Sequence, residues 1–203
     1  MARNNVGMDD TRDPEYAVRL ATLESKGWKK LFDVQAPYRR NLRKLNLGRT
    51  LDVGCGLGRN LINLENGVGV DHNSEAVKIA RSRGLTAYST SEWEDSGAAI
   101  PGSFDSILLA HVLEHVSLQD SDEIIASYLP YLRTEGKLVL ICPQEKGFPT
   151  DPTHIRWVDH EELRATGMRN GFNELRNYSF PFPRAVGKFF TYNEFVYLGQ
   201  RNK

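Results

Sequence analysis

The feature that most constrains the fold of this chain is an alternation of short apolar runs with longer amphipathic segments. The apolar runs predict strands at residues 50–53, 67–70, 85–88, 104–110 and 137–142. Segments with helical periodicity lie between them, at residues 60–65, 74–83 and 119–133. This alternation is typical of α/β proteins, in which helices connect parallel strands that are buried on both faces.

The last part of the chain departs from this alternation. Residues 159–168 predict a helix with Asp159 as its N-cap and Glu162 three residues further on. Residues 175–180 and 194–198 predict two strands, which we expect to pair as a closing antiparallel hairpin. The whole pattern predicts one Rossmann-like α/β layer sandwich.

The N-terminal segment predicts helices after a polar tail. Residues 1–13 contain too few apolar side chains to bury a core, so we expect a disordered tail there. Apolar residues spaced by three and four across residues 15–45 predict two extra helices, which form an N-terminal cap at residues 14–46. No Pro/Gly/Ser-rich linker divides the remainder, so residues 14–203 are predicted to form a single domain.

Composition limits the partners and the compartment. The 26 basic residues balance the 26 acidic ones, so no overall field attracts nucleic acid or an anionic membrane. We therefore expect a small-molecule partner, with no nucleic acid and no membrane. Cys55 and Cys142 fit neither a metal-binding spacing nor a disulfide framework. Since the first residues also lack the apolar core of a signal peptide, the sequence predicts a cytoplasmic protein.

Three glycines follow the first predicted strand in the pattern G-x-G-x-G, at Gly54, Gly56 and Gly58. Glycine accepts positive φ and has no Cβ, so such a turn lets a ligand rest on backbone amides. The second strand is followed by Asp71, where nucleoside-binding folds place the acidic residue that holds ribose hydroxyls. Arg59 stands where a dinucleotide fingerprint needs glycine or alanine. The pattern favours a phosphate-free nucleoside such as S-adenosylmethionine (SAM), unless the glycines only shape a tight turn.

Five motifs carry a resemblance to a known family. They are LDVGCGLG at residues 51–58, GVD at 69–71, FDSI at 104–107, HVLEH at 111–115 and GKLVL at 136–140. The region from residue 49 to residue 142 resembles the class I SAM-dependent methyltransferases, specifically their small type 11 or type 12 group. The resemblance implies a seven-stranded, mostly parallel sheet with helices on both faces. It also implies SAM bound across residues 54–58, with Asp71 accepting hydrogen bonds from both ribose hydroxyls.

The resemblance also implies the remaining cofactor contacts. The residues expected to contact SAM are Asp52, Gly54, Cys55, Gly56, Gly58, Asp71, His72, Ser91, Glu92 and His111. The family commonly has an acidic residue near the adenine amino group after the third strand, and both Ser91 and Glu92 are candidates for that place. Trp93 either stacks on adenine or belongs to the core.

Two histidines are candidate bases for methyl transfer. If the acceptor is a hydroxyl or a protonated amine, a base with a pKa near neutrality helps, and histidine supplies one. His111 follows the fourth strand, and His154 lies in the loop after the fifth strand, each at the expected ligand edge. Tyr38, Asp151 and Arg156 are predicted to contact the substrate. The alternatives are that His111 only lines the cofactor pocket and that the residues around His154 only stabilise the loop.

Other functions remain open alternatives to methyl transfer onto an oxygen or nitrogen of a small molecule. They are a methyltransferase that acts on RNA or protein, and a module that binds SAM without turnover. Residues 111–115 also match H-x-x-E-H, the inverted zinc-protease signature, with His111 and His115 as ligands. His111 directly follows a strand rather than lying on a helix, so we expect no metal site and place a zinc hydrolase last.

Overall fold

The computed structural model describes residues 36–202, and these form parts of two compact units, Met1–Ala99 and Ile100–Lys203. The predicted tail at residues 1–13 lies outside the described residues. Within the predicted helical cap, only the final helix, α1 (Ala36–Lys44), is described. No helix in residues 36–202 combines the length and the apolar character that a membrane span requires.

The first unit contains α1 and three parallel strands. In chain order its further elements are β1 (Arg49–Val53), β2 (Asn66–Asp71), α2 (Ser74–Ser82) and β3 (Ala87–Ser89). The strands lie in the order β3-β2-β1, and Val53 is opposite Val70 in the register of β1 and β2. The carboxyl ends of both strands therefore meet at one edge, which brings the glycines after β1 and the acidic end of β2 together.

The second unit contains four strands. Its elements are β4 (Phe104–Ala110), α3 (Leu118–Tyr128), β5 (Leu132–Pro143), α4 (His160–Arg169), β6 (Phe172–Phe180) and β7 (Glu194–Arg201). β4 pairs with β5 in parallel, whereas β7 is antiparallel to both β5 and β6. Since Pro143 is opposite Glu194, the start of β7 lies at the same edge as the end of β5.

The predicted fold class is confirmed: there are seven strands, mostly parallel, with an antiparallel C-terminal hairpin formed by β6 and β7. Two helix predictions need correction. The segment at residues 60–65 forms only a 3-10 turn, Leu61–Asn63. The helix predicted to reach residue 133 ends at Tyr128, because Pro130 has no N–H to donate and β5 begins two residues later.

Gly69 on β2 supports a testable prediction about packing in the first unit. A Cβ at Gly69 would lie 2.6 Å from Cys55 Sγ and 2.7 Å from Leu61 Cδ1, both of them buried core atoms. Gly69→Ala is therefore expected to lower the free energy of unfolding by about 1 to 3 kcal/mol. Gly97→Ala is the matched control, because its Cβ would meet no atom within 4 Å. Equal urea midpoints for the two variants would contradict the prediction.

Candidate functional site

The glycine turn, residues 54–58, combines close packing with an open backbone. Gly54, Gly56 and Gly58 have φ values of 77°, 50° and 84°, in the left-handed region that favours glycine. A Cβ at Gly58 would lie 2.2 Å from Leu85 Cδ1, whereas a Cβ at Gly56 would meet no atom within 4 Å. Gly58 therefore packs against the protein, and Gly56 leaves its backbone accessible to a ligand.

Asp71 fixes the shape of the glycine turn. Its Oδ2 accepts a hydrogen bond from the backbone N–H of Gly56 at 2.7 Å, and its Oδ1 accepts one from the N–H of Asn73 at 2.8 Å. An ionised carboxylate has about four lone-pair sites, so two backbone bonds leave capacity for hydroxyl donors. This carboxylate links the turn after β1 to the end of β2, and it can still hold the sugar of a nucleoside.

Asp52 is the most unusual charged group of the first unit. It is fully buried, and within residues 36–202 neither of its carboxylate oxygens has a hydrogen-bond partner. Burial, and secondarily the nearby Asp71 carboxylate, raises the pKa of Asp52 to about 8. Buried polar groups are usually paired, so an unpaired carboxylate beside a ligand-shaped turn indicates a missing cation or hydrogen-bond donor.

Three other predicted contacts surround this turn in different ways. Cys55 is buried in a core cluster with Leu61 and Val77, so its side chain is not directed to a ligand, and only its backbone remains a candidate. His72 keeps 27% of its side chain exposed, with Nδ1 3.9 Å from Asp71 Oδ1. Tyr38 on α1 lies under the guanidinium of Arg59, 5.5 Å from the ring centroid.

The segment after β3 holds both adenine-site candidates. The Oγ atoms of Ser91 and Ser89 are 2.9 Å apart, within hydrogen-bond distance. The Glu92 carboxylate accepts hydrogen bonds from the Arg81 guanidinium and from the N–H of Ser89, and these lower its pKa to about 2. Trp93 is buried with its ring 6.2 Å from that of Tyr88, which favours the core alternative for this residue.

The second unit contains a group of acidic and imidazole side chains, which we call the His–Glu cluster. Its members are His111, Glu114, His115, His154 and Glu194. The Nδ1 of His111 is 3.1 Å from Glu114 Oε1, and its Nε2 is 2.9 Å from Glu194 Oε1. His111 adopts a φ of 59°, an uncommon backbone conformation for a residue other than glycine. Such strain is typical of functional sites.

The surroundings of His111 do not suit a general base. Burial lowers its pKa, but hydrogen bonds to Glu114 and Glu194 outweigh this effect and raise the pKa to about 10. Two carboxylate acceptors require both ring nitrogens to carry a proton. The side chain keeps 35% exposure, so solvent moderates these interactions without reversing their direction. At neutral pH the ring is therefore an imidazolium, which corrects the expectation that His111 accepts a proton.

Glu114 is the centre of the cluster. Its side chain is fully buried, with Oε1 facing His111 and Oε2 accepting a hydrogen bond from Cys142 Sγ at 3.4 Å. Its backbone carbonyl accepts from the N–H groups of Ile155 and Arg156. Burial opposes the charged form, but the hydrogen bond and charge of His111 outweigh it and lower the pKa of Glu114. Glu114 therefore stays ionised and ties the 3-10 turn Leu113–His115 to the loop after β5.

In the two other histidines of the His–Glu cluster, His115 and His154, the Nδ1 atom donates a hydrogen bond. Thr153 Oγ1 donates to Asp151 Oδ1 at 2.7 Å, so it accepts from His115 Nδ1 at 2.9 Å. The Nδ1 of His154 donates to the backbone carbonyl of Phe148. The rings lie 4.6 Å apart between centroids. Only 7% of the His154 side chain is exposed, so this ring does not cover an open surface.

The structure gives Asp151 and Arg156 roles within the protein. Asp151 Oδ1 accepts from both the N–H and the hydroxyl of Thr153, which stabilises the turn. The Arg156 guanidinium donates to the carbonyls of Leu113 and Val116 and to Ser121 Oγ. These bonds commit the guanidinium to internal acceptors, which corrects the expectation that Arg156 binds the substrate.

Sequence reasoning did not identify Glu194, the partner of His111 at the first position of β7. It is almost fully buried, although its side chain is acidic. The signal was present: an acidic residue directly precedes the apolar run of the last strand, and that strand is antiparallel to its neighbours. The first residue of such a strand lies at the edge where parallel strands end.

Comparisons with known proteins agree with this geometry. Residues 51–140 match the model of a family described as a methyltransferase domain. This stretch is a methyltransferase domain. The matched region contains the glycine turn, Asp71, His111 and Glu114. The match bears out the predicted methyltransferase resemblance for this stretch, and the solved structures described below agree with the predicted fold.

A curated relative supports the same domain over part of its length. The ubiquinone biosynthesis O-methyltransferase of Xanthomonas euvesicatoria pv. vesicatoria is 38% identical to this chain over 101 residues. That alignment covers 45% of this chain and 41% of the relative. The shared region is thus less than half of either protein.

Solved structures share the fold at low sequence identity. A SAM-dependent methyltransferase from Archaeoglobus fulgidus superposes with a TM-score of 0.65 at 17% identity, over 86% of this chain and 98% of that one. Magnesium protoporphyrin IX methyltransferase from Synechocystis, solved with bound SAH, gives 0.64 at 17% identity, over 96% and 97%. These likenesses extend the agreement in fold beyond the matched domain.

Proposed function

We propose that this protein is a methyltransferase that transfers the methyl group of SAM to an oxygen or nitrogen of a small molecule. The observation that carries the proposal is Asp52, a buried carboxylate without a hydrogen-bond partner among the described residues, close to an open glycine turn. The ammonium group of SAM matches this need, because a cation beside a buried carboxylate removes the cost of its ionisation.

The two acidic residues of the first unit favour SAM over a dinucleotide. Asp71 keeps lone pairs free for ribose hydroxyls, which SAM and NAD share. The charge of Asp71 adds to the effect of burial in raising the pKa of Asp52. A pyrophosphate placed at this turn would lie close to two acidic side chains, whereas SAM carries no phosphate and has a net positive charge.

In this proposal the protein positions the two reactants and excludes water from them. When bound, SAM supplies an electrophilic methyl group on a sulfonium. In-line transfer mainly requires that the two reactants be aligned and dehydrated, so the backbone of the glycine turn and the two carboxylates would provide most of the cofactor's orientation. The protonated state of His111 removes it as a base, and its contact with SAM stays a prediction.

The small-molecule acceptor rests on two kinds of support. The curated relative is named for O-methylation in ubiquinone biosynthesis, which favours an acceptor oxygen here. The chain carries 26 basic and 26 acidic residues, so it offers no general attraction for an RNA backbone. Methylation of RNA or protein, and binding without turnover, remain the alternatives that the experiment below distinguishes.

We expect Asp71→Ala to weaken SAM binding at least tenfold, an order-of-magnitude value for losing the acceptor of two ribose hydroxyls. The same change removes the acceptor for the Gly56 N–H and loosens the turn. Calorimetric titration measures this effect, with Asp95→Ala as control because Asp95 is exposed in the same unit. Wild-type protein that takes up no SAM would refute the cofactor assignment for this chain.

The acceptor class is tested by methyl transfer from SAM that carries a tritiated methyl group. Purified protein is incubated separately with a small-metabolite extract, with total RNA and with a protein lysate. The proposal predicts labelled material in the metabolite extract alone. Label only in RNA or protein would overturn the small-molecule acceptor, and SAM binding without label in any fraction would indicate a module without turnover.

A further inference from the structure

We propose that Glu114, His115 and His154 form a binding site for one divalent metal ion of the zinc class. One ligand atom from each of these residues lies within 4.8 Å of the others, and the three side chains are buried or nearly so. The set of two imidazoles and one carboxylate is a familiar zinc combination in proteins.

The hydrogen bonds of the two histidines select the nitrogen that faces the ion. His115 donates through Nδ1 to Thr153 Oγ1, and His154 donates through Nδ1 to the carbonyl of Phe148. Within residues 36–202, neither Nε2 atom makes a hydrogen bond, so each presents a lone pair. Metal-ligating histidines almost always donate their other N–H to a carbonyl or a carboxylate, which fixes the tautomer and orients the ring.

The hydrogen bonds that orient His115 continue from Thr153 to Asp151. Thr153 Oγ1 donates to Asp151 Oδ1 at 2.7 Å, so a carboxylate stands behind the hydroxyl that accepts from His115. Carboxylates in this outer position raise the basicity of a ligating imidazole. Asp151, one of the residues first expected to contact a substrate, therefore lies in the second layer of this metal site.

The three ligand atoms lie within 4.8 Å of one another and would move closer together on binding an ion. Three donors at 2.0–2.1 Å around one tetrahedral ion are about 3.4 Å from one another. The Nε2 of His154 is 3.9 Å from Glu114 Oε1, close to this spacing.

His111 is not a ligand in this site, which separates it from the H-x-x-E-H reading of the sequence. Its two ring nitrogens are occupied by Glu114 and Glu194, and it follows β4 rather than lying on a helix. The ligands come instead from the 3-10 turn Leu113–His115 and from the loop after β5. An ion bound here would cross-link these two segments.

The test uses the full-length protein after treatment with a chelator and dialysis. Titration with zinc near neutral pH, followed by elemental analysis, is expected to give one zinc per chain and a higher melting temperature. His154→Gln is expected to lower the affinity at least a hundredfold. His160→Gln is the matched control, because that ring bonds to Asn177 and Ser179 and not to the cluster.

A second variant keeps the test decisive if His154→Gln does not fold. Thr153→Val removes only the hydroxyl that orients His115, and such outer changes typically weaken metal binding about 10- to 100-fold. X-ray absorption of the zinc-loaded wild type should show nitrogen and oxygen ligands only. No saturable zinc binding by the wild type, unchanged affinity in both variants, or sulfur among the ligands would each overturn the proposal.

Discussion

Asp52→Asn is expected to stabilise the ligand-free protein at pH 8 and to weaken SAM binding about thirtyfold. The carboxyl group has a pKa of about 8 in the folded chain, against an ordinary value near 4. Between these values the unfolded chain releases the proton while the folded chain retains it. The wild type therefore loses stability as the pH rises from about 4 to about 8, and the amide variant does not.

The gain in the free energy of unfolding is on the order of 5 kcal/mol at pH 8 and falls toward zero near pH 4. Urea denaturation across this pH range measures it, with Asp95→Asn as the exposed control in the same unit. A parallel pH dependence in wild type and Asp52→Asn would show that Asp52 is ionised without cost.

The substitution that stabilises the ligand-free protein should weaken cofactor binding. An ammonium group beside this carboxylate lowers its pKa, so binding releases a proton, and the wild-type affinity rises with pH until about pH 8. Asp52→Asn loses a charge-assisted contact worth about 2 kcal/mol, hence the thirtyfold loss. The SAM affinity of the Asp52→Asn variant should also no longer depend on pH in this range. Calorimetry in buffers of different ionisation enthalpy detects the released proton directly, and an affinity independent of pH in the wild type would argue against this contact.

Arg156→Met should lower the free energy of unfolding by about 3 kcal/mol. The change leaves the carbonyls of Leu113 and Val116 and the hydroxyl of Ser121 without their donor, and each lost bond to a charged group costs about 1.5 kcal/mol or more. Since only 18% of the Arg156 side chain is exposed, water replaces these bonds poorly. Chemical denaturation followed by tryptophan fluorescence measures the loss.

Arg164→Met is the matched control for this prediction. Arg164 bonds to Glu174, and its side chain is 54% exposed, so the pair is expected to contribute little to stability. A substrate-binding role for Arg156 predicts a different result: the variant would keep wild-type stability and lose only turnover. That result would restore the interpretation made from the sequence.

The sequence predicted the features that consecutive residues determine. The parallel strands followed from apolar runs, and the N-cap of α4 followed from Asp159, whose Oδ1 accepts from Glu161 and Glu162. The glycine turn and Asp71 were predicted together, because the carboxyl ends of neighbouring parallel strands meet. The register of Val53 with Val70 confirms that placement.

The arrangement of the His–Glu cluster was beyond local reasoning. His111 and Glu194 are separated by 83 positions, and the acidic start of the last strand does not by itself identify the residue that it contacts. The charge of Arg156 was also misleading. A charged side chain in a loop suggested a substrate contact, but its guanidinium donates to internal carbonyls. The tautomers of His115 and His154 depend on Thr153 and Phe148, which a spacing rule cannot supply.

The two cysteines offer a chemical readout that the fold itself provides. Cys55 lies in the first unit and Cys142 in the second, both buried, and burial raises the pKa of each thiol. A protonated, enclosed thiol hardly reacts with alkylating agents, so modification requires local opening. The alkylation rate of each thiol therefore measures how often the structure around it opens locally, and no introduced label is needed.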